Sequence, residues 1–386
     1  MSEISSQRLL EIAQVFFKLG VIGFGGPAAH IAMMEEEVVT RREWIDRSRF
    51  LDLIGVTNLI PGPNSTEMAI HLGYIYGGFL GLILAGVCFL FPAVLITGIF
   101  AWVYVSFGDL PQIAPLFYGI KPAVLAVILG ALWKLGKKAI KGYQLVLIGC
   151  GVAVLLLLGI NEVVALLIGG FVGMLLLKTV IPKETAEGLI ATLSFGTILK
   201  AVAATTATTV PPLWKLGLFF LKVGSILFGS GYVLIAFIEG ELVNQNGWLT
   251  QQQLLDAIAI GQFTPGPVLS TSTFIGYVIA GIPGAIVATL GIFFPSFIFV
   301  LILNPLIPKL RNSTWTSAFL DAVNVSAVGL MAVVTLQLAY SLFLQPIDYI
   351  AIMIFIIGLI GLFRFKLSPL WLVFGGAILG TIFSLF

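Results

Sequence analysis

Apolar runs too long and too poor in charge for a water-soluble core recur along the whole chain, Leu80–Val105 being the clearest. About 20 such residues in a helix cross the ~30 Å hydrocarbon layer of a bilayer. Hydrophobic residues make up 59% of the 386 and charged residues 10%, with a mean hydropathy of +1.09, a balance that excludes a soluble domain. The long runs do not alternate, which argues against a transmembrane β-barrel. The chain therefore reads as an all-α polytopic membrane protein whose first partner is the lipid bilayer. A net charge of +2 is too small to point to nucleic acid. Cys88 and Cys150 lie in apolar runs and read as small buried hydrophobes, so neither a metal site nor a disulfide framework is expected, and no cofactor. The absence of HExxH and GxSxG patterns, with only two histidines, argues against an intramembrane enzyme with catalytic residues. Met1-Ser2-Glu3-Ile4 lacks the basic start and cleavage pattern of a signal peptide.

Inside this apolar background stand two helix breakers, Pro61-Gly62-Pro63 and Pro265-Gly266-Pro267. A proline has no N–H and clashes with the preceding turn, and glycine adds backbone freedom. In lipid such freed backbone groups are tolerated only where protein or an aqueous cavity satisfies them. One break in each half of a chain points to a transporter's binding site.

The two breaks belong to an internal repeat. Phe16-Phe17-Lys18-Leu19-Gly20…Phe24-Gly25-Gly26-Pro27 matches Phe220-Leu221-Lys222-Val223-Gly224…Phe228-Gly229-Ser230-Gly231 at a spacing of 204. The register continues through Glu35/Glu239, Glu37/Glu241, Trp44/Trp248, Asp52/Asp256 and Asn58/Gln262 into the two Pro-Gly-Pro stretches. One residue is then lost, so that Gly73-Tyr74 matches Gly276-Tyr277 and Pro92 matches Pro295. The expected division is 1–182 for the first repeat, 183–212 for a joint and 213–386 for the second. Charge sets the orientation. Arg41, Arg42, Arg47 and Arg49 crowd one loop of the first unit and Lys134, Lys137, Lys138 and Lys141 another, whereas the counterpart loops 240–253 and 338–348 contain no Lys or Arg. Lys309, Arg311, Arg364 and Lys366 instead follow the loops that are bare in the first unit. Basic loops opposite bare ones predict an inverted-topology repeat of two homologous units.

Loop parity then requires one apolar segment per unit not to cross. Phe50–Gly77 and 254–279, which hold the Pro-Gly-Pro breaks, are expected as re-entrant hairpins. Segments near 78–106, 113–134, 143–160 and 162–181, and their counterparts 281–304, 316–338, 347–363 and 367–386, are expected to cross. The first segments, 9–34 and 214–238, either span or form a second hairpin at their glycine-rich stretches. If they are hairpins, inversion needs the joint near 188–210 to cross.

After the first break, Asn64-Ser65-Thr66-Glu67 reads as a helix start with Asn64 at the N-cap and Glu67 at N3; Ser270-Thr271-Ser272-Thr273 starts the second. A helix N-terminus in a dry site offers unpaired N–H donors and the positive end of its dipole to an anion. The candidate ligands are Asn58, Pro61, Gly62, Asn64, Ser65, Thr66, Gln262, Thr264, Gly266, Ser270 and Thr271. The alternative is that these residues only cap the half-helices. Gly25, Gly26, Gly229 and Ser230 either supply facing donors or permit close packing. Lys18 and Lys222 are matched charges inside apolar segments, read as anion ligands or as snorkelling side chains. Glu67 has a hydroxyl in the second unit and is the candidate carrier of a coupling proton, with His71 one turn later; the plainer reading is a capping glutamate. His30 reads as a packing histidine, Glu35, Glu37, Glu239 and Glu241 as solvated segment ends, and Gly169-x-x-x-Gly173 and Gly376-x-x-x-Gly380 as packing faces.

Phe24-Gly25-Gly26-Pro27, Glu35-Glu36-Glu37, Trp44-Ile45, Phe50, Pro61-Gly62-Pro63 and Gly73-Tyr74 together resemble the signature of the chromate ion transporter family, with a degenerate copy in the second unit. The resemblance implies a long-chain, two-domain member in the cell (plasma or inner) membrane that exports chromate by antiport or a proton-driven process, with sulfate as isosteric competitor. Sulfate or another divalent oxyanion as the substrate, and an anion channel, stand as alternatives. Two fused units can form one complete site, and a homodimer is equally open.

Overall fold

The computed structural model describes residues 6–24, 26–108, 110, 114–178, 211–303, 314–344 and 347–384. These residues are helical almost throughout, with no strand among them beyond one isolated bridge between Leu344 and Ile347. The first unit contains α1 (Ser6–Ile22), α2 (Pro27–Glu35) running into a π-helical turn (Glu36–Arg41), α3 (Arg47–Thr57), α4 (Asn64–Phe107), α5 (Ala114–Ala139), α6 (Tyr143–Leu157) and α7 (Glu162–Lys178). The second contains α8 (Leu213–Ile226), a 3-10 turn (Gly231–Val233), α9 (Leu234–Phe237) with its π-helical extension (Ile238–Gln245), α10 (Gln251–Phe263), a 3-10 turn (Val268–Ser270), α11 (Thr271–Leu303), α12 (Thr314–Leu344), α13 (Tyr349–Phe363) and α14 (Pro369–Phe383). The joint expected at 183–212 lies outside the described residues, apart from Pro211 and Pro212.

The repeat is repeated in detail. Trp44 N–H donates to the Val38 carbonyl at 2.8 Å and Trp248 N–H to the Leu242 carbonyl at 2.8 Å. α4 kinks at Gly77 (φ −129°, ψ 16°) and Gly78 (φ 59°, ψ −150°), and α11 at Ala280 (φ −144°, ψ 27°) and Gly281 (φ 62°, ψ −152°). The positive φ at the second kink position is open to glycine at little cost and strains other residues. Each kink is the point where the arm that follows Pro-Gly-Pro passes into a long apolar helix.

The first segments fold back on themselves. Lys18 meets Glu37 and Lys222 meets Glu241, pairs 19 residues apart in sequence. In a continuous helix such residues stand about 28 Å apart along the axis, so the contact needs a reversal at the glycine-rich stretch. The segment is thus two arms joined by a reversal, not one continuous helix.

The units interlock. α5 of the first unit packs against α13 and α14 of the second, while α12, its counterpart, packs against α6 and α7 of the first; α4 and α11 pack on each other. Glycines permit the close approaches: Gly376 and Gly380 face Gly119, and Gly173 faces Ala322. Among the described residues four helices, 64–107, 115–139, 268–302 and 314–344, are long and apolar enough to cross a membrane. α6, α13 and α14, of 15 residues each, are about 22 Å long and shorter than the crossings expected there. Their outward faces are largely apolar, with Leu147, Val154, Ile356 and Phe374 exposed.

Three expectations are corrected. Pro63, not Asn64, takes the N-cap of α4: its extended backbone (φ −82°, ψ 101°) lets its carbonyl accept from Thr66 and Glu67, which moves Glu67 one position further in. Glu37 and Glu239 are buried, not solvated, because the hairpins fold them against their neighbours. Cys150 lies on the exposed apolar face of α6 instead of the core.

Candidate functional site

The backbone groups freed by each Pro-Gly-Pro are satisfied by the other unit. Gly62 N–H donates to the Leu227 carbonyl at 2.8 Å, and Gly266 N–H donates to the Gly23 carbonyl at 2.6 Å. Gly62 and Gly266 are repeat-related, and so are Gly23 and Leu227. Each break is therefore seated on the first-hairpin tip of its partner unit, in two reciprocal contacts. Gly62 (φ +140°), Gly266 (φ +90°), Gly26 (φ +79°) and Gly229 (φ +93°) all use conformations that favour glycine. Gly25 lies outside the described residues.

The polar side chains after the first break point into the protein. Ser65, Thr66, Glu67 and His71 are each 0% exposed, in a segment otherwise apolar. Ser65 Oγ, Thr66 Oγ1 and both His71 ring nitrogens have no hydrogen-bond partner among the described residues. The Glu67 carboxylate folds back toward the break: it and the Ser296 hydroxyl are what a Cβ on Gly62 would strike. At the second break most hydroxyls have partners, although Ser272 Oγ, also buried, has none among the described residues. Ala93, the counterpart of Ser296, faces Gly266; Thr264 donates to the Gly261 carbonyl at 3.1 Å, Thr271 to the Val268 carbonyl at 2.8 Å, and Thr97 to Ser270 at 3.3 Å. Ser230 Oγ accepts from Tyr232 N–H at 3.4 Å, and the Tyr232 hydroxyl donates to Gln262 at 3.1 Å.

Beside the first break a cavity of about 100 Å³ is lined by Asn58, Asn64, Lys138, Lys141, Gly229, Asp321 and Asn324. Asn64 donates to Asn58 at 2.8 Å, and Asn58 donates to the Ile54 carbonyl at 2.7 Å. Lys141 and Asp321 pair at 2.6 Å, tying the units together across its rim. Amide donors with an ammonium at the mouth suit an oxyanion, whose oxygens accept only. Ser296, Asn324 and Lys138 were not among the candidates. Ser296 follows Pro295 where the first unit has Ala93, a polar departure from the repeat; Asn324 is an amide in an apolar run, at the position of Lys121 in the first unit.

Lys18 and Lys222 are brought to carboxylates of their own hairpins, Glu37 and Glu241. Arg41 and Arg42 also approach Glu37, at 3.5 and 3.6 Å. The hydrogen bond from Lys18, with these cations, holds the Glu37 carboxyl, in the turn beyond the apolar spans, below the usual carboxylate range. Lys222→Met should therefore lower thermal stability with little change in anion affinity, since Glu241 loses its partner. Lys18→Met should cost less, because two arginines remain. Thermal unfolding alongside chromate-concentration dependence of flux checks both; a tenfold loss of apparent affinity would return the lysines to the anion site.

His30 Nε2 donates to the Gly23 carbonyl, 2.9 Å away, and the ring meets Phe89 edge-on at 5.6 Å, as a packing histidine does.

Comparison with known proteins adds an independent finding. The family model described as chromate transporter matches residues 10–174 and again 214–381. The chain is 31% identical to a chromate transport protein of Cupriavidus metallidurans over 97% of its own length and 93% of the relative's. It is 33% identical to a probable chromate transport protein of Synechococcus elongatus, over 84% of this chain and 83% of that one. An uncharacterized transporter of Methanocaldococcus jannaschii is 29% identical over 98% and 96%. No solved structure matches.

Proposed function

Because this chain belongs to the chromate transporter family, multi-pass membrane transporters and not enzymes, we propose that it exports chromate, held as a dianion at the break cluster and driven by the proton gradient or by exchange. One observation carries the reading: the reciprocal Gly62–Leu227 and Gly266–Gly23 hydrogen bonds gather four helix breaks around buried, unpartnered hydroxyls. The anion ligands are Ser65, Thr66 and the N–H groups at the start of α4, with Ser270 and Thr271 from the second break and Asn58 and Asn64 on the approach. Glu67, with His71 beside it, carries the coupling proton. The asymmetry of basic loops supports opposite membrane orientation of the two units, with the cavity of Asn58, Lys138 and Lys141 on the basic, cytoplasmic side. The membrane is the cell membrane.

Sulfate offers the same tetrahedral geometry and charge to the same donors and is the second reading. Purified protein in liposomes, given chromate with and without sulfate and with and without a pH gradient, tests both. Saturable chromate flux, accelerated by the proton gradient and inhibited by sulfate, is expected. Sulfate flux with no response to chromate would transfer the function to sulfate. Non-saturating flux indifferent to protons would make the protein a channel.

A further inference from the structure

We propose that Glu162 and Glu239 form a second proton-binding site, apart from the break cluster, in which two carboxyl groups share one proton. Glu239 stands on the π-helical turn after α9 and is 2% exposed. Glu162 opens α7 of the other unit, and its carboxylate lies against the Gly240 backbone, leaving no room for a side chain there. Glu239 Oε2 has no hydrogen-bond partner among the described residues, and Oε1 meets only the Gln251 amide, at 3.5 Å.

The repeat supplies the control. Glu35, the counterpart of Glu239, pairs with the guanidinium of Arg47 at 3.2 Å. The residue corresponding to Arg47 is Gln251, and α14, the counterpart of α7, opens on Pro369 where α7 opens on Glu162. The first unit thus gives this carboxylate a cation; the second gives it a neutral amide and brings up another carboxylate. The amide is itself held, since Ser341 donates to Gln251 Oε1 at 2.5 Å. The nearby cation, Lys222, is engaged by Glu241. Two buried carboxylates without a cation of their own cannot both ionise cheaply, and they titrate as a pair that retains a proton. A cavity of about 230 Å³, lined by Glu162, Gly240, Asn244, Gln245 and Gln337, opens beside Glu162 and provides an exchange route. Glu239 also sits on the hairpin that carries the Leu227 contact to the first break, so protonation of the pair is placed to act on the transport cycle. That role rests on the transport reading; the shared proton does not.

Infrared difference spectroscopy of the full chain in liposomes, in a Glu67→Gln background, tests the proton directly. A protonated-carboxyl carbonyl band is expected at neutral pH. It should vanish in Glu239→Gln, shift its titration toward acid in Glu162→Gln, and vanish at neutral pH in Gln251→Arg, which restores the guanidinium of the first unit. Thermal unfolding of each variant reports whether it is folded, and Gln251→Arg covers the case in which Glu239→Gln is not. Absence of the band in the parent, or its persistence in both Glu239→Gln and Gln251→Arg, overturns the proposal. Loss of the band on adding sodium at constant pH would also overturn it, by making the pair a metal-cation site. A band that behaves as expected, with no chromate flux by the chain that retains Glu67, would leave the pair standing and remove the transport reading.

Discussion

Glu67→Gln should abolish the acceleration of chromate flux by a proton gradient, a loss of about tenfold or more, while chromate-for-chromate exchange continues. The expectation follows from where the carboxylate sits. It is 0% exposed, folded back over Gly62 at the positive end of α4, with the Ser296 hydroxyl against it. The same N–H donors and the same end of the helix dipole are what a dianion would use. A charged carboxylate and a bound dianion would repel each other in a medium of low dielectric, where unit charges a few ångströms apart interact by several kcal/mol. On the proposed reading, anion binding would demand a neutral Glu67, and proton and anion occupancy would be linked. Glutamine keeps the size and is permanently neutral, so the anion still binds but no proton is carried. The test is flux in liposomes under an imposed pH gradient, paired with isotopic exchange at equal pH. A variant that responds to the gradient as the parent does would dismiss Glu67 as the coupling residue.

The second large effect is structural. Gly62→Ala should give protein that fails to accumulate in the membrane, or that is folded yet transports at least tenfold more slowly. Its φ of +140° already strains any residue with a Cβ, by roughly 1–3 kcal/mol. The added methyl would also strike the Glu67 carboxylate and the Ser296 hydroxyl, and backing away from them breaks the 2.8 Å bond to Leu227. Gly26→Ala is the control. It has the same kind of backbone, φ +79°, but open space around it, so it should lose only the backbone strain. Membrane yield, thermal unfolding and flux per folded molecule separate the two. Equal behaviour of the two variants would mean that packing at the break does not matter.

Much of this was legible in the residues because it depends on local chemistry. Pro-Gly-Pro ends a helix wherever it stands, and the 204-residue register matched Lys18 to Lys222 and Asn58 to Gln262 before any coordinates were needed. What escaped was set by tertiary partners. Lys18 and Glu37 were both noticed, but nothing in a linear pattern says that a glycine turn brings them together. Asn64 has the chemistry of an N-cap and lost the place to Pro63, whose restricted φ fits the extended residue before a helix. Ser296 and Asn324 come from elements distant in sequence, and only the crossing of units brings them to the first break and its cavity. The first-hairpin alternative was left open by segment length alone, because a 26-residue apolar stretch satisfies both geometries.

The exchange of partners between the two units bears on how the chain is made. α5 leaves the ribosome before α13 and α14 exist, and α6 and α7 before α12. The glycine-lined faces of the first half, Gly119 and Gly173 among them, must then remain in lipid without their final neighbours until the second half is inserted. Contacts of such long sequence separation form late and slowly. The two halves mature as one unit at the end of synthesis, and a nascent first half is an unfinished surface awaiting its own repeat.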